Sequence, residues 1–560
     1  MGRYKNYFYI LLLGSVLFFP FLGNSHLFDW DEINFAEASR EMLLTGNYTQ
    51  TQIDFQEFWE KPPLFFWMQA LSMKLFGINE YAARFPNAIC GILTLLILFN
   101  IGTKLKDTKF GWLWVLCYAG SILPQFYFKS GIIDPWFNLF IFLSIYYFIC
   151  YLQQHFRIKY LFLSAFMIGL AILTKGPVAI IILGLTVGIY YLINRFRLFP
   201  PLLHIVYYLF FIALTIFPWI GIEIAQNGTW FITEFMRYTF RLATTEDASH
   251  GGFFGYHFVV ILFFCFPASV FAIRALFKKQ TTDEQSIKFR QWMLILFWVV
   301  MILFSIVQTK IAHYSSMAYF PLTFLSALTL YALKDQWRKW ESLTLLLIGS
   351  VIIILIAGIP YVLQNPELIS PYIRDSFTKD ALKADGNWSG WESLIAIILV
   401  VGIGISIYFL INKKVNKAII ILFGSSIITI NLALNNITPK IERYSQGAMV
   451  DFLVDKSQED CYLDVIGYKS YAHLFYGARK PEDNKNEVFL SWMEVHHPNT
   501  KEDPIAMRKY FSEWLLTGNT DKPVYFVTNV RKAKNYKDQP QLIFLEQKNG
   551  FVFFKKEIVQ

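Results

Sequence analysis

Apolar runs of about 15 to 21 residues recur along most of this chain, separated by short polar stretches. They fall at 7–23, 87–103, 111–128, 135–152, 160–174, 177–194, 202–221, 257–277, 291–308, 315–333, 342–362, 392–411 and 418–435. A helix of about 20 apolar residues crosses roughly 30 Å of hydrocarbon. The pattern therefore predicts a polytopic α-helical membrane protein with about 13 transmembrane helices. Past residue 436 charges of both signs appear. Strand-like runs at 461–466, 524–528, 542–545 and 552–554 there alternate with helical periodicity around 504–516. The division expected is a membrane domain over 1–435 and a small α/β domain over 436–560, outside the membrane.

Composition sharpens this. Only 16% of residues are charged, against roughly 25% in soluble proteins. The net charge of +9 sits in short Lys/Arg clusters beside the apolar runs, which suits topology determinants and not a nucleic-acid surface. Arg3 and Lys5 place the N-terminus in the cytoplasm. Alternation then puts Lys104/Lys106/Lys109, Arg195/Arg197, Lys278/Lys279 and Lys413/Lys414/Lys417 on that same side. The loops 24–86, 223–256 and 363–391 and the C-terminal domain face the other way. The first segment resembles a signal peptide, but no small-x-small cleavage site follows, so it is read as an uncleaved span. Five scattered cysteines without CxxC spacing read as buried thiols.

The stretch from Asp29 to Pro63 stands apart. It is dense in carboxylates, with Arg40 and Lys61 as its cations. Carboxylates near hydrocarbon must stay solvated or find partners. Asp31 and Glu32 open a helical pattern that Gly46 closes, and a carboxylate at a helix start is both stabilised and rigidly held. The apolar residues Ile33, Phe35, Ala36, Met42, Leu43 and Leu44 predict a helix lying in the interface plane. Glu60-Lys61-Pro62-Pro63 puts a cation at the lip of the bilayer, suited to a phosphate at headgroup depth. Asp134, before Pro135, reads as an N-cap at the same membrane level as Asp31. Lys175, in Thr174-Lys175-Gly176-Pro177, is an outward cation against the positive-inside bias. Lys310, His313 and Tyr314 form another outer cluster. Glu60 and His250 are candidate metal contacts, too few to identify zinc.

The order and spacing of Asp31-Glu32, Phe35-Ala36-Glu37, Ser39-Arg40-Glu41-Met42, Thr45-Gly46-Asn47-Tyr48 and Glu60-Lys61-Pro62-Pro63 resemble the first periplasmic loop of bacterial polyprenyl-phosphate-sugar-dependent transferases. These are GT-C glycosyltransferases of the aminoarabinose lipid A transferase and protein O-mannosyltransferase-like branch. The resemblance runs on through Arg84-Phe85-Pro86, Asp134, Thr174–Pro177 and His313-Tyr314. It implies a GT-C fold in the bacterial inner membrane, with the C-terminal domain periplasmic. It also implies Asp31 as the essential carboxylate, with Asp134 and Glu32 beside it in catalysis. Lys61, Lys175, Lys310, Tyr314, His313 and Arg84 would bind substrate, and Glu60 and His250 a metal.

The implied reaction moves a sugar from polyprenyl (undecaprenyl) phosphate to a hydroxyl or phosphate of a lipid, glycan or protein acceptor, with inversion. No cofactor is required; a divalent ion (zinc, magnesium or manganese) is left open. The expected partners are that donor, the acceptor and membrane lipids, without nucleic acid and with a monomer favoured. Asn34 and Phe35 stand where aminoarabinose transferases tend to have Arg and Tyr, which bears on the sugar and the acceptor. The competing class is a lipid-linked-sugar transporter or flippase. It would show repeated halves and midplane charges, whereas here the charges sit at one interface.

Overall fold

A computed structural model of the chain describes residues 2–245, 251–278, 283–333, 337–498 and 504–558. Every apolar run becomes helix. Eleven of them coincide with helices Gly2–Phe18, Glu80–Leu105, Asp134–Gln153, Ile158–Lys175, Val178–Ile193, Leu202–Asn227, Glu284–Ile306, Tyr319–Ala332, Lys339–Gln364, Ile395–Ile411 and Val415–Asn436. The other two are broken. Run 111–128 splits into Thr108–Ala119 and Ile122–Phe128, and run 257–277 into Tyr256–Phe264 and Ala268–Phe277, with Pro267 at the second break. Among the described residues, eight helices are long and apolar enough to cross a membrane.

The bundle has an aromatic interior. Phe142 stacks on Phe320 with ring centroids 4.5 Å apart, and Trp114 meets Phe324 edge-on at 5.0 Å. The Trp114 indole N–H donates to Thr323 Oγ1 at 3.1 Å, so its polar edge is not stranded. Outward faces are apolar as well: Leu202, Phe217 and Ile354 are exposed. Such surface suits lipid and not water.

The carboxylate-rich loop folds as helix Asp31–Thr45, then a hairpin of β1 (Gln52–Ile53) and β2 (Gln56–Glu57), then helix Leu64–Phe76. Gly46 ends the first helix as its pattern predicts, in the left-handed conformation, with its N–H on Met42 O. The helix does not lie on an interface with its polar face in water: Glu32 to Met42 are all buried. The C-terminal chain reaches that helix at Arg40 and the hairpin at Asp54 and Ile53. Arg40 Nη2 donates to Arg479 O at 2.8 Å, Asn484 Nδ2 to Asp54 O at 2.5 Å, and Arg508 to Ile53 O. At the hairpin tip Asp54 and Phe55 both take positive φ. Glu41 accepts both of their N–H groups, at 2.5 and 2.8 Å, which holds that turn.

Beyond the bundle the chain forms a four-stranded sheet of β3 (Tyr462–Val465), β4 (Val524–Asn529), β5 (Ile543–Lys548) and β6 (Phe551–Lys556), in the order β3-β4-β6-β5. The β3–β4 pair is parallel and the others antiparallel. All four strands overlap the runs picked out by pattern, and helix Pro504–Thr517 matches the expected one. Helix Val415–Asn436 ends at the expected boundary, and further helical segments follow it directly. Helical structure continues from Val415 to Lys456, through a π-helical turn at Arg443–Gly447, some twenty residues past the expected break at 436.

Between helices Ile158–Lys175 and Val178–Ile193, Gly176 adopts φ +94°, and a Cβ at that position would run into the Phe235 ring. Gly176→Ala is expected to cost about 2 kcal/mol or more, read as a lower unfolding temperature in detergent. Adding Phe235→Ala should return the steric part and leave the backbone part.

Candidate active site

Two carboxylates, two cations and a histidine from five segments meet at one end of the bundle. Asp134 is the first residue of helix Asp134–Gln153 and is buried. It does not cap that helix as expected. Its Oδ1 accepts from Lys175 Nζ at 2.6 Å, from the last residue of the neighbouring helix. This explains how Lys175 sits among apolar neighbours, its ammonium 5.2 Å from the Tyr314 ring centroid and 5.7 Å from that of Phe137. His313 Nε2 lies 3.9 Å from Asp134 Oδ2 and also 3.9 Å from Asp31 Oδ2. Burial pushes the His313 pKa below its usual value, against the pull of Asp134 and Asp31.

Asp31 differs from Asp134. It is the first residue of its helix, with 38% of its side chain exposed, whereas Asp134 is 4% exposed. Lys61 stands over the Tyr238 ring at 4.9 Å. Burial lowers its pKa, opposed by Glu60 and Asp31. Tyr238 lies on helix Trp230–Thr244, which Phe231 and Phe235 anchor to Leu173 and Trp219. Pattern reading missed Tyr238; the spacing of aromatic and basic residues along that helix is the signal that points to it.

Three expected site residues are committed elsewhere. Glu32, expected in catalysis, and Arg84, expected at substrate, are bonded to each other. They form a buried pair, with Arg84 Nε and Nη2 donating to Glu32 at 2.9 and 2.8 Å. The remaining Arg84 N–H groups go to the carbonyls of Leu22, Ser25 and His26 at 2.7, 2.9 and 2.9 Å, which uses all five. Glu32 also accepts the N–H of Phe28 at 2.9 Å and that of Gly131. Lys310 Nζ caps the end of helix Glu284–Ile306, donating to Phe304 O at 3.1 Å, Ser305 O at 2.7 Å and Val307 O. Of the two expected metal contacts, His250 lies outside the described residues. Glu60 sits beside Lys61 within electrostatic reach of Tyr471. Among the described residues no group of three or more His, Cys, Asp or Glu is placed to hold a metal ion.

The family described as dolichyl-phosphate-mannose-protein mannosyltransferase matches residues 60–221, the stretch that carries Lys61, Asp134 and Lys175. An undecaprenyl phosphate-alpha-4-amino-4-deoxy-L-arabinose arabinosyl transferase of Pectobacterium carotovorum is 25% identical over 65% of this chain. That alignment spans 66% of the relative's own length, just under two thirds. A second such transferase, from Proteus mirabilis, is 24% identical over 94% of this chain and 96% of its own. The crystal structure of ArnT from Cupriavidus metallidurans in the apo state superposes with a TM-score of 0.74, at 17% identity, over 99% of this chain and 98% of that one. The chain shares the fold of that ArnT and resembles the aminoarabinose transferases in sequence. The same ArnT solved bound to undecaprenyl phosphate superposes with a TM-score of 0.72 at 16% identity.

Within this GT-C fold the Glu32–Arg84 pair carries a clear expectation. Arg84→Met leaves a buried carboxylate unpaired and should cost about 3–5 kcal/mol. Thermal unfolding in detergent reads this, and Glu32→Gln in the same chain should recover part of the loss.

Proposed function

We propose that this chain is a membrane glycosyltransferase that moves a sugar from a polyprenyl phosphate carrier to a hydroxyl or phosphate of a lipid, glycan or protein acceptor. The observation that carries the reading is the meeting of Asp31, Asp134, Lys175, Lys61 and His313 at one end of a fold shared with ArnT. The orientation that goes with it has the N-terminus in the cytoplasm, about 13 spans, and the site and C-terminal domain on the outer face.

The roles follow from what each group has left to give. Asp134 is occupied by Lys175 and serves to hold that ammonium in place. Asp31 is partly exposed and lies 3.9 Å from the His313 imidazole. It takes the proton of the acceptor hydroxyl as that oxygen attacks the anomeric carbon. The bond from that carbon to the phosphate oxygen breaks, with inversion, and polyprenyl phosphate departs as a stable anion that needs no proton. Lys61 and Lys175 supply the positive field it leaves into. Loss of the Asp31 proton to solvent completes the cycle.

Asp31→Asn keeps size and hydrogen bonding but removes the proton acceptor. Turnover of a panel of polyprenyl-phosphate sugars with membrane extract as acceptor should fall by about 10²-fold or more, with donor binding retained in folded protein. Turnover equal to wild type would remove Asp31 as the base. Lys61→Met should instead raise the KM for the donor.

A further inference from the structure

Helix Asp31–Thr45 opens without a side-chain cap: Trp30, ahead of it, makes no capping hydrogen bond. The position of its first residue is therefore set by the backbone that leads into it. That lead is held at Leu27, Phe28 and Asp29. Leu27 N–H donates to Tyr476 Oη at 2.6 Å, and Leu27 O accepts from Gln446 Nε2 at 2.7 Å. Phe28 N–H goes to Glu32 Oε2 at 2.9 Å, and Asp29 N–H to Gln446 Oε1 at 3.1 Å. Gln446 is buried and spends both ends of its amide on one piece of backbone, as a neighbouring strand would.

Gln446 comes from the π-helical turn Arg443–Gly447 inside the helical run Val415–Lys456. A π turn adds a residue and rotates the side chains it carries relative to an α-helix, and such turns recur at functional sites. Here it turns an amide toward the lead, more than four hundred residues away in sequence.

We propose that Gln446 is a positioning residue for Asp31, with Tyr476 as its partner on the C-terminal domain, so that this domain and the last long helix together set where the base stands. This rests on the reading of Asp31 as the base. A base displaced by about 1 Å loses on the order of 10²-fold in rate, while the donor, held by cations on other segments, binds as before.

The test uses the full chain purified in detergent, with Gln446→Leu, Tyr476→Phe and Asp31→Asn beside wild type. Hydrogen exchange of the segment 27–33, unfolding temperature, and kcat and KM with polyprenyl-phosphate sugars are measured on each. Gln446→Leu should exchange faster at 27–33 and lose about 10- to 100-fold in kcat, with donor KM within about twofold. Tyr476→Phe should move the same way by less. Faster exchange with unchanged kcat overturns the proposal and leaves the base reading intact. Lost kcat without faster exchange at 27–33 overturns it too, since the effect then lies elsewhere. Should Gln446→Leu not fold, Tyr476→Phe decides by the same two readouts. Asp31→Asn with wild-type turnover defeats the base reading itself, and the positioning role with it.

Discussion

The pairing of Glu32 with Arg84 is the constraint from which the site's geometry follows. Two charges this deeply buried are costly alone, and the arrangement holds because each is fully answered: five donors on Arg84 are all accepted, and Glu32 takes two further backbone N–H groups. Through those bonds one pair ties together the end of the first helix, the start of helix Glu80–Leu105, the loop helix and the turn at Gly131. Asp31 is the neighbour of Glu32 in sequence, and Asp134 lies three residues beyond Gly131. Fixing one ion pair thus brings two other carboxylates to face the same imidazole.

Those two carboxylates divide their labour by what surrounds them. Asp134 is enclosed and paired at 2.6 Å; Asp31 is more open, 3.9 Å from the His313 ring and within electrostatic reach of Lys61. An enclosed acid with a partner is a fixture, and an open one beside a basic cluster can exchange protons. Lys61 and Lys175 each stand over an aromatic ring, Tyr238 and Tyr314, and lie within electrostatic reach of one another.

Much of this was legible in sequence. Helix positions followed from hydropathy, and Asp31, Asp134, Lys175 and His313, picked out in sequence as polar residues at the ends of apolar runs, lie close together in the fold. What was not legible had a common cause: partners distant in the chain. Glu32 and Arg84 read as reactive because their mutual satisfaction is invisible without the fold, and Lys310 because its acceptors are carbonyls, which carry no sequence signal. The loop helix read as interfacial because its apolar residues were visible and the contacts that bury its polar ones were not. Gln446 was hidden by the same logic, in a helix whose apolar character had already run out.

The Asp134–Lys175 pair joins the near ends of two consecutive helices, Asp134–Gln153 and Ile158–Lys175, that form one hairpin. In the outward-facing orientation both charges have to be carried through hydrocarbon during synthesis, each at a cost of several kcal/mol if bare. As the hairpin folds, the two ends meet and travel as a neutral dipole. With the orientation proposed above, loss of either partner would burden membrane insertion before it touched turnover.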